Sequence, residues 1–340
     1  MWRRKFTLRF MLGLLLVFTS GVALAQYQLT NLVSNQVGKA KHTDPLLVNA
    51  WGLVHARTSP FWISDNGSGW STLYNGNGVK QGLIVEITPH PGNAVGSPTG
   101  IVFNGSSEFQ VERSASFFLF DTLDGTISAW APQVALNDTI IAVDNSGSGA
   151  VYTGLAITSK ASGNFLFAAD NANNKVDVYD GRFHLVTSFT DTTLPAGFAP
   201  FGIRDINGLL YVAFASTSGG TGGFIDIFSE HGVFLKRLAQ GAPLNQPWGF
   251  AAAPSNFGPL SNTLLVSNNT NSGTINAFKL TTGTFVGTIK NTTGKVIHID
   301  QLWAIDFGSG EPANGAKNTL FFTAGPDNNL AGTFGSIVMK

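Results

Sequence analysis

The feature that most constrains this chain is a bulky residue set directly before a small one, repeated six times at near-equal spacing. The segments "AWGLVHA", "PTGIVFN", "YTGLAIT", "PFGIRDI", "PWGFAAA" and "LWAIDFG" align on Gly52, Gly100, Gly154, Gly202, Gly249 and Ala304. Successive intervals between these positions are 48, 54, 48, 47 and 55 residues. A period of this length marks an architecture built from one supersecondary unit used many times.

Each unit repeats the same internal order. A second apolar run, as in "PFWISDNG", "NFLFAADNANN" or "NTLLVSNNTNSG", ends in Asp, Asn, Ser or Gly, which tolerate positive φ or form Asx turns and so reverse the chain. A third run alternates strictly, as in "KVDVYDG", "GFIDIFSE" and "TINAFKL", and period two predicts one buried face and one wetter face. A fourth run such as "LIVEITP" or "LVTSFTD" completes the unit. Four antiparallel strands per unit, six times over, is the pattern of an all-β, six-bladed β-propeller. The sixth unit holds only three runs, and the missing strand is available in "YQLTNLVS", Tyr27 to Ser34. Placed as the outer strand of the last blade, it closes the ring and removes two open sheet edges. Composition agrees: Gly is 40 of 340 residues and charged residues are 12% of the chain, about half the usual share, which suits short strands and tight turns.

The first 25 residues carry Arg3, Arg4, Lys5 and Arg9, then an apolar stretch from Phe10 to Phe18, then Ala23-Leu24-Ala25. This reads as a secretory signal peptide cleaved after Ala25, because the apolar run is too short to span a bilayer. The expectation is a propeller domain over residues 26–340 in the periplasm or outside the cell, with no membrane insertion after signal removal. Cleavage would remove four of 20 basic residues and none of 20 acidic ones, leaving 16 against 20 and a net charge of −4. That balance, with no run of Lys or Arg, argues against nucleic acid or an anionic membrane as a partner. There is no Cys, so disulfides and thiolate metal sites are excluded.

The pattern Pro-bulky-Gly-Ile, then a strand ending Asp-Asn, then a strand like "VDVYDG", resembles the NHL-type and related six-bladed propellers. More narrowly, "NLVSNQVGKAKHTDPLLVNAWGL" followed by "FWISDNGSGWSTLYNGNG" resembles a family of exported bacterial propeller proteins of unassigned activity. The resemblance implies the fold and says little of function, since propellers host binding scaffolds, lyases and lactonases alike.

In a propeller the first strand of each blade lines the channel. The six lead positions Trp51, Thr99, Thr153, Phe201, Trp248 and Trp303 would therefore meet at one end, with turn residues that include Asn66, Asn171 and Asn269. Two uses are open to these rings: a stacking rim for a sugar or peptide, or wedges that seal the end of the core. Asp65, Asp121, Asp170 and Asn268 offer hard oxygens, and calcium is the cofactor such turns would hold. None of them sits in a twelve-residue EF-hand loop, and hairpin turns use the same residues for conformational reasons alone. His55 and Arg204 lie on predicted channel strands, where a lyase or lactonase would want a base beside a cation. His42 with Asp44 falls in the first long loop, His298 just before a channel strand, and His184 and His231 at hairpins; His90 completes the six. The connections from Gly92 to Pro98 and from Pro254 to Asn262 depart from the average length, and such loops carry specificity or merely turn. The reading that follows is a binding or interaction module for an extracytoplasmic protein, peptide or glycan. Its alternative is a metal-assisted propeller enzyme acting at the channel mouth.

Overall fold

The computed structural model describes residues 26–158 and 163–340. The expected signal peptide lies outside the described residues. Six antiparallel sheets follow one another around a ring, and their inner strands are Ala50–Val54, Pro98–Phe103, Tyr152–Thr158, Phe198–Ile206, Pro247–Ala252 and Leu302–Phe307. The outer strands of blades one to five are Lys80–Glu86, Ile140–Asp144, Leu185–Phe189, Phe234–Gln240 and Phe285–Thr288. In blade six the order from the axis outward is Leu302–Phe307, Thr319–Ala324, Thr333–Met339 and then Tyr27–Ser34, which pairs antiparallel from Tyr27 opposite Met339 to Ser34 opposite Thr333. The N-terminal strand thus closes the ring as its sequence position requires. A short strand, His42–Thr43, then runs parallel to the end of Tyr27–Ser34 and covers that edge.

The closing strand is locked by the long loop of blade five. Phe257, in the Pro254 to Asn262 connection, is fully buried, lies 4.9 Å from the Tyr27 ring, and accepts a 2.8 Å hydrogen bond from the Tyr27 hydroxyl at its carbonyl. That connection has a structural role in closing the ring, while the Gly92 to Pro98 connection leads into the inner strand of blade two.

The core is divided into wedges between neighbouring blades, so the middle strands are buried on both faces. In Lys175–Asp180, Val176 and Val178 pack toward blade four while Tyr179 packs toward blade two. The third strands have no wetter face at these positions, where alternation predicts one: Asp177, Asp226 and Asn276 are buried rather than solvated. Two of them are satisfied sideways, Asp177 by Ser188, Tyr152 and Lys175, and Asn276 by Thr288 and Thr274. Asp226 accepts from Arg237, which also donates to Asp191. A buried polar group needs such partners because leaving it unpaired costs as much as a lost hydrogen bond or more.

Candidate functional site

Every bulky-small pair sits at a break in strand register. The pairing of each inner strand with its neighbour skips there, between Ala50 and Leu53, Tyr152 and Leu155, Pro200 and Gly202, Pro247 and Phe250, and Leu302 and Ile305, with the same irregularity opposite Phe120 to Thr122 in blade two. A bulge turns the strand and aims its side chains anew. It also presses the small residue against the next blade. A Cβ on Gly249 would lie 2.7 Å from the Trp303 carbonyl oxygen, and one on Gly202 would meet the Trp248 carbonyl closer still. The small residue is therefore dictated by backbone packing against backbone.

The backbone groups released at the bulges are caught by hydroxyls and carboxylates on the second strands. Ser267 accepts from Gly249 N at 2.8 Å and donates to the Trp303 carbonyl at 2.6 Å. Thr323 does the same between Ala304 N (3.1 Å) and the Trp51 carbonyl (2.5 Å), and Asp121 accepts from Gly100 N and from Thr99 Oγ1. The Ser267 and Thr323 bridges tie a blade to its neighbour, and Thr99 Oγ1 does so from blade two through the Tyr152 carbonyl. The turn asparagines add a second set of ties: Asn66, Asn171 and Asn269 donate side-chain N–H groups to the carbonyls of Pro98, Pro200 and Leu302.

The bulky residues meet at the axis. Trp51 and Trp303 stack with centroids 3.6 Å apart, and Trp248 stands edge-on to both at 6.3 and 5.8 Å. Phe201 packs 5.8 Å from Trp303, and Leu123 joins the same cluster. Trp248 Nε1 reaches across the ring to the Thr153 carbonyl (2.7 Å), and Trp303 Nε1 donates to Asn49 Oδ1 (3.0 Å). With exposures of 6%, 8% and 3% for Trp51, Trp248 and Trp303, the structure makes these rings a plug rather than an open rim. The residue just before each Trp strand, Asn49, Gln246 or Gln301, takes a positive φ, and the carbonyls of Gln246 and Gln301 accept from Asn269 N and Gly325 N.

The turn residues named for calcium stay in their own blades. Asp170 accepts from Val151 N, Asn173 N and Asn173 Nδ2, and Asn268 bonds Asn245 N, the Pro243 carbonyl and Thr274. Burial pushes the Asp121 carboxyl up to about 6 against the hydrogen bonds from Thr99 and Gly100. Burial also raises Asp65 well above the usual carboxylate range, with the nearby Asp44 charge adding to it. Among the described residues no three His, Asp or Glu side chains gather where they could hold a metal ion.

The opposite end of the channel is open. There a cavity of about 310 Å³ is lined by Val54 and His55 of blade one, Val102 and Phe103 of blade two, Ile157 of blade three, Arg204 and Asp205 of blade four, and Asp306 of blade six. Arg204 spans three blades: Nη1 donates to the carbonyls of Phe250 (2.9 Å) and Ile305 (3.3 Å), and Nη2 to Asp306 Oδ1 (2.8 Å). Asp306 Oδ1 also accepts from Phe307 N, and its Oδ2 takes no hydrogen bond among the described residues. His55 lies at the lip. Its Nε2 is 2.9 Å from the Phe307 carbonyl, and its Nδ1 is 3.3 Å from Asn314 Nδ2. Its Nδ1 is also 3.0 Å from the Ala56 carbonyl, so a backbone carbonyl faces each ring nitrogen. Buried Asn314 also donates to the Arg57 and Ser59 carbonyls, pinning the loops of blades six and one together.

Of the sequence candidates, the structure brings His55 and Arg204 together with the open cavity, and gathers Trp51, Trp248, Trp303 and Phe201 at the closed end. His42 and His298 lie in neither place: His42 is on the short edge strand, and His298 bonds Ser272 at the surface. His90 bonds Ser146 between blades one and two, and His184 and His231 are exposed at hairpins. Asp44 is buried against Tyr74 and Lys80. Sequence reasoning missed Asp306. Its signal was available: it stands two residues after Ala304, as Arg204 stands two after Gly202, and the equivalent positions are Val54, Val102, Ala156 and Ala251.

No protein-family model matches the chain. In structure it is similar to a streptogramin B lyase (TM-score 0.55, 10% identity, covering 93% of this chain and 98% of that one) and to a glucose dehydrogenase (TM-score 0.58, 10% identity, 91% and 98%). At that identity the likeness shows the fold alone. In sequence it is 33% identical over 286 residues to an uncharacterized protein of Acanthamoeba polyphaga mimivirus, spanning about half (52%) of that relative's length. A second uncharacterized protein of the same virus is 31% identical over 338 residues, which cover 93% of this chain and 81% of the relative. The relatives found are thus viral, where the resemblance had pointed to bacteria, and the chain belongs to the family of this second uncharacterized mimivirus protein, a family of six-bladed β-propellers.

Proposed function

We propose that this propeller is a binding module that seats one small, uncharged, hydroxyl-bearing molecule in the open funnel and works outside the cytoplasm. The observation that carries the reading is the funnel itself: about 310 Å³, closed at its inner end by indoles, with an apolar wall facing the Arg204–Asp306 pair. Ligand pockets run from about 300 to 1,000 Å³, so this one suits a single sugar-sized ring. The guanidinium and carboxylate compensate each other, and a charged ligand would bring an unpaired charge into a half-buried site, which is costly. A hydroxyl could donate to Asp306 Oδ2 and accept from Arg204, while the ring face lies on Val102 and Ile157.

An enzyme using His55 as its base is less well supported, because both ring nitrogens already have partners in Phe307 and Asn314. The test is a thermal-shift and calorimetric screen of monosaccharides and cyclic polyols, run in parallel on a Val102→Trp variant whose indole fills the funnel. A ligand that raises Tm for the wild type and not for the variant supports the reading, since binding to the native state alone stabilises it. Equal binding by both proteins would place the ligand elsewhere.

A further inference from the structure

The mouth of the funnel is not level. Three positions after the small residue of each inner strand stand His55, Phe103, Ile157, Asp205, Ala252 and Phe307. The first four line the funnel, Phe307 packs on Phe257, and Ala252 is exposed. Blade five therefore carries the shortest side chain at the lip. The connections beyond these positions deepen the difference. Those of blades six and one are pinned together by Asn314. The connection of blade two, residues 104–117, leans over blade three, where Glu108 accepts from Asn164 Nδ2 at 2.8 Å and Phe109 N donates to the Gly181 carbonyl at 2.6 Å. Blade four turns back in Asn207 and Gly208 alone, both at positive φ as a two-residue hairpin requires. The connection of blade five leans away toward blade six, with Phe257 buried against Tyr27 and Phe307. The wall is thus low over blades four and five and lowest at Ala252.

Behind Ala252 lies a second, shallower cavity of about 480 Å³. One side of it is the end of the blade-five connection, with Pro259 and Asn262, and the other is the hairpin after the third strand, with Lys279, Leu280 and Thr281. Both sides belong to the funnel face, because the first and third strands of a blade run in the same direction. Ala253 N donates to the carbonyl of Thr263, a lining residue, at 2.8 Å. Neighbouring strands lie about 4.8 Å apart, so one strand spacing separates the lip from this cavity. Pro259 and Leu280 offer apolar surface to the face of a ring, and the exposed Asn262, Lys279 and Thr281 offer hydrogen bonds at its edge.

We propose that the molecule seated in the funnel is the end unit of an uncharged oligosaccharide, whose following units cross Ala252 and lie in the blade-five cavity. This rests on the reading of the funnel as a site for one hydroxyl-bearing ring. A funnel of about 310 Å³ holds a single ring, so any unit linked to it must leave by the mouth, and Ala252 is where the wall gives way. A free peptide end would bring an ammonium or a carboxylate to the Arg204–Asp306 pair, which is costly in a half-buried site. The charges therefore favour a sugar chain as the occupant.

Calorimetric titration of the full chain with cello-, malto- and manno-oligosaccharides of one, two and three units, and with the blocked peptide N-acetyl-trialanine amide, tests this. In one of the sugar series the association constant is expected to rise about tenfold from one unit to three, a factor that one or two further net hydrogen bonds supply. Ala252→Trp, whose indole raises the lip, should keep the affinity for the single unit and lose the gain. Lys279→Ala with Thr281→Ala should lose about threefold of it. All three side chains are exposed, and a thermal melt checks that each variant is folded; the double variant reads the cavity even where the Trp is not tolerated. Equal or weaker binding of three units than of one by the wild type would overturn the proposal and leave the single-ring reading standing. A gain unchanged in the folded variants would overturn the path over blade five. Binding of the blocked peptide alone would overturn it in favour of an extended peptide, and no binding of any sugar would overturn both this proposal and the single-ring reading.

Discussion

The two ends of the channel are built from the same six strands and behave as opposites. At one end large rings from four blades converge, stack and hydrogen-bond across the axis. Toward the other the same strands carry Val54, Val102 and Ala156, which are too short to meet, and Arg204 and Asp306, which pair along the wall instead of filling the lumen. Side-chain volume at two positions per strand thus decides which end holds the ring together and which is left to accept a ligand.

The sharpest way to break this contrast is Trp303→Ala. Removing a 3% exposed indole that stacks on Trp51 is expected to cost about 3 to 5 kcal/mol in urea unfolding, as large-to-small core changes do. Next comes Gly202→Ala, whose methyl would press on the Trp248 backbone, with an expected loss of about 3 kcal/mol from overpacking. Gly82→Ala, where nothing lies within 4 Å, is the control, with a change of no more than about 0.5 kcal/mol.

Acid–base linkage at the closed end gives the third test. Burial pushes the Asp121 carboxyl from its ordinary value of 3.8 up to about 6 in the folded chain, so the native state binds more protons than the unfolded state between these values. The stabilisation is complete below pH 3.8 and disappears as pH rises through 6, a contribution on the order of 2 to 3 kcal/mol. Unfolding free energies measured across that window should show the decline in wild type and a shallower slope in Asp121→Asn. Asp226, raised to about 7 by burial against the pull of Arg237, extends the same trend upward.

Thr323→Val should follow with a loss of about 1 to 2 kcal/mol, because the Trp51 carbonyl and Ala304 N–H lose their shared partner in the core. The smallest effect belongs to the open end. Arg204→Met with Asp306→Asn removes both charges of the funnel pair together, and denaturation should shift by less than about 1 kcal/mol, since paired replacement leaves no orphaned charge. A large loss there, or a small one at Trp303, would reverse the assignment of the two ends.

The fold was legible because a propeller repeats its physics. The six bulky-small pairs mark six bulges, the Asp and Asn turns mark the hairpins, and the missing strand of the last unit marks the closure by Tyr27–Ser34. The candidate site was legible only in part. Arg204 and His55 stood out as polar residues on channel strands, whereas Asp306 was hidden inside "LWAIDFG", where the Trp drew attention. The burial of Asp177, Asp226 and Asn276 was not readable from alternation, since period two reports that the faces differ and not that either face meets water.

By itself the sequence determined the repeat, the number of blades and the need for a small residue at each inner bulge, because these follow from local periodicity and backbone sterics. Only the tertiary structure decided that the tryptophans face one another instead of a ligand, and that Arg204 and Asp306, 102 residues apart, form one pair. Those are facts of ring closure. Convergence on an axis depends on the lengths of side chains from blades distant in sequence, and no local pattern records that distance.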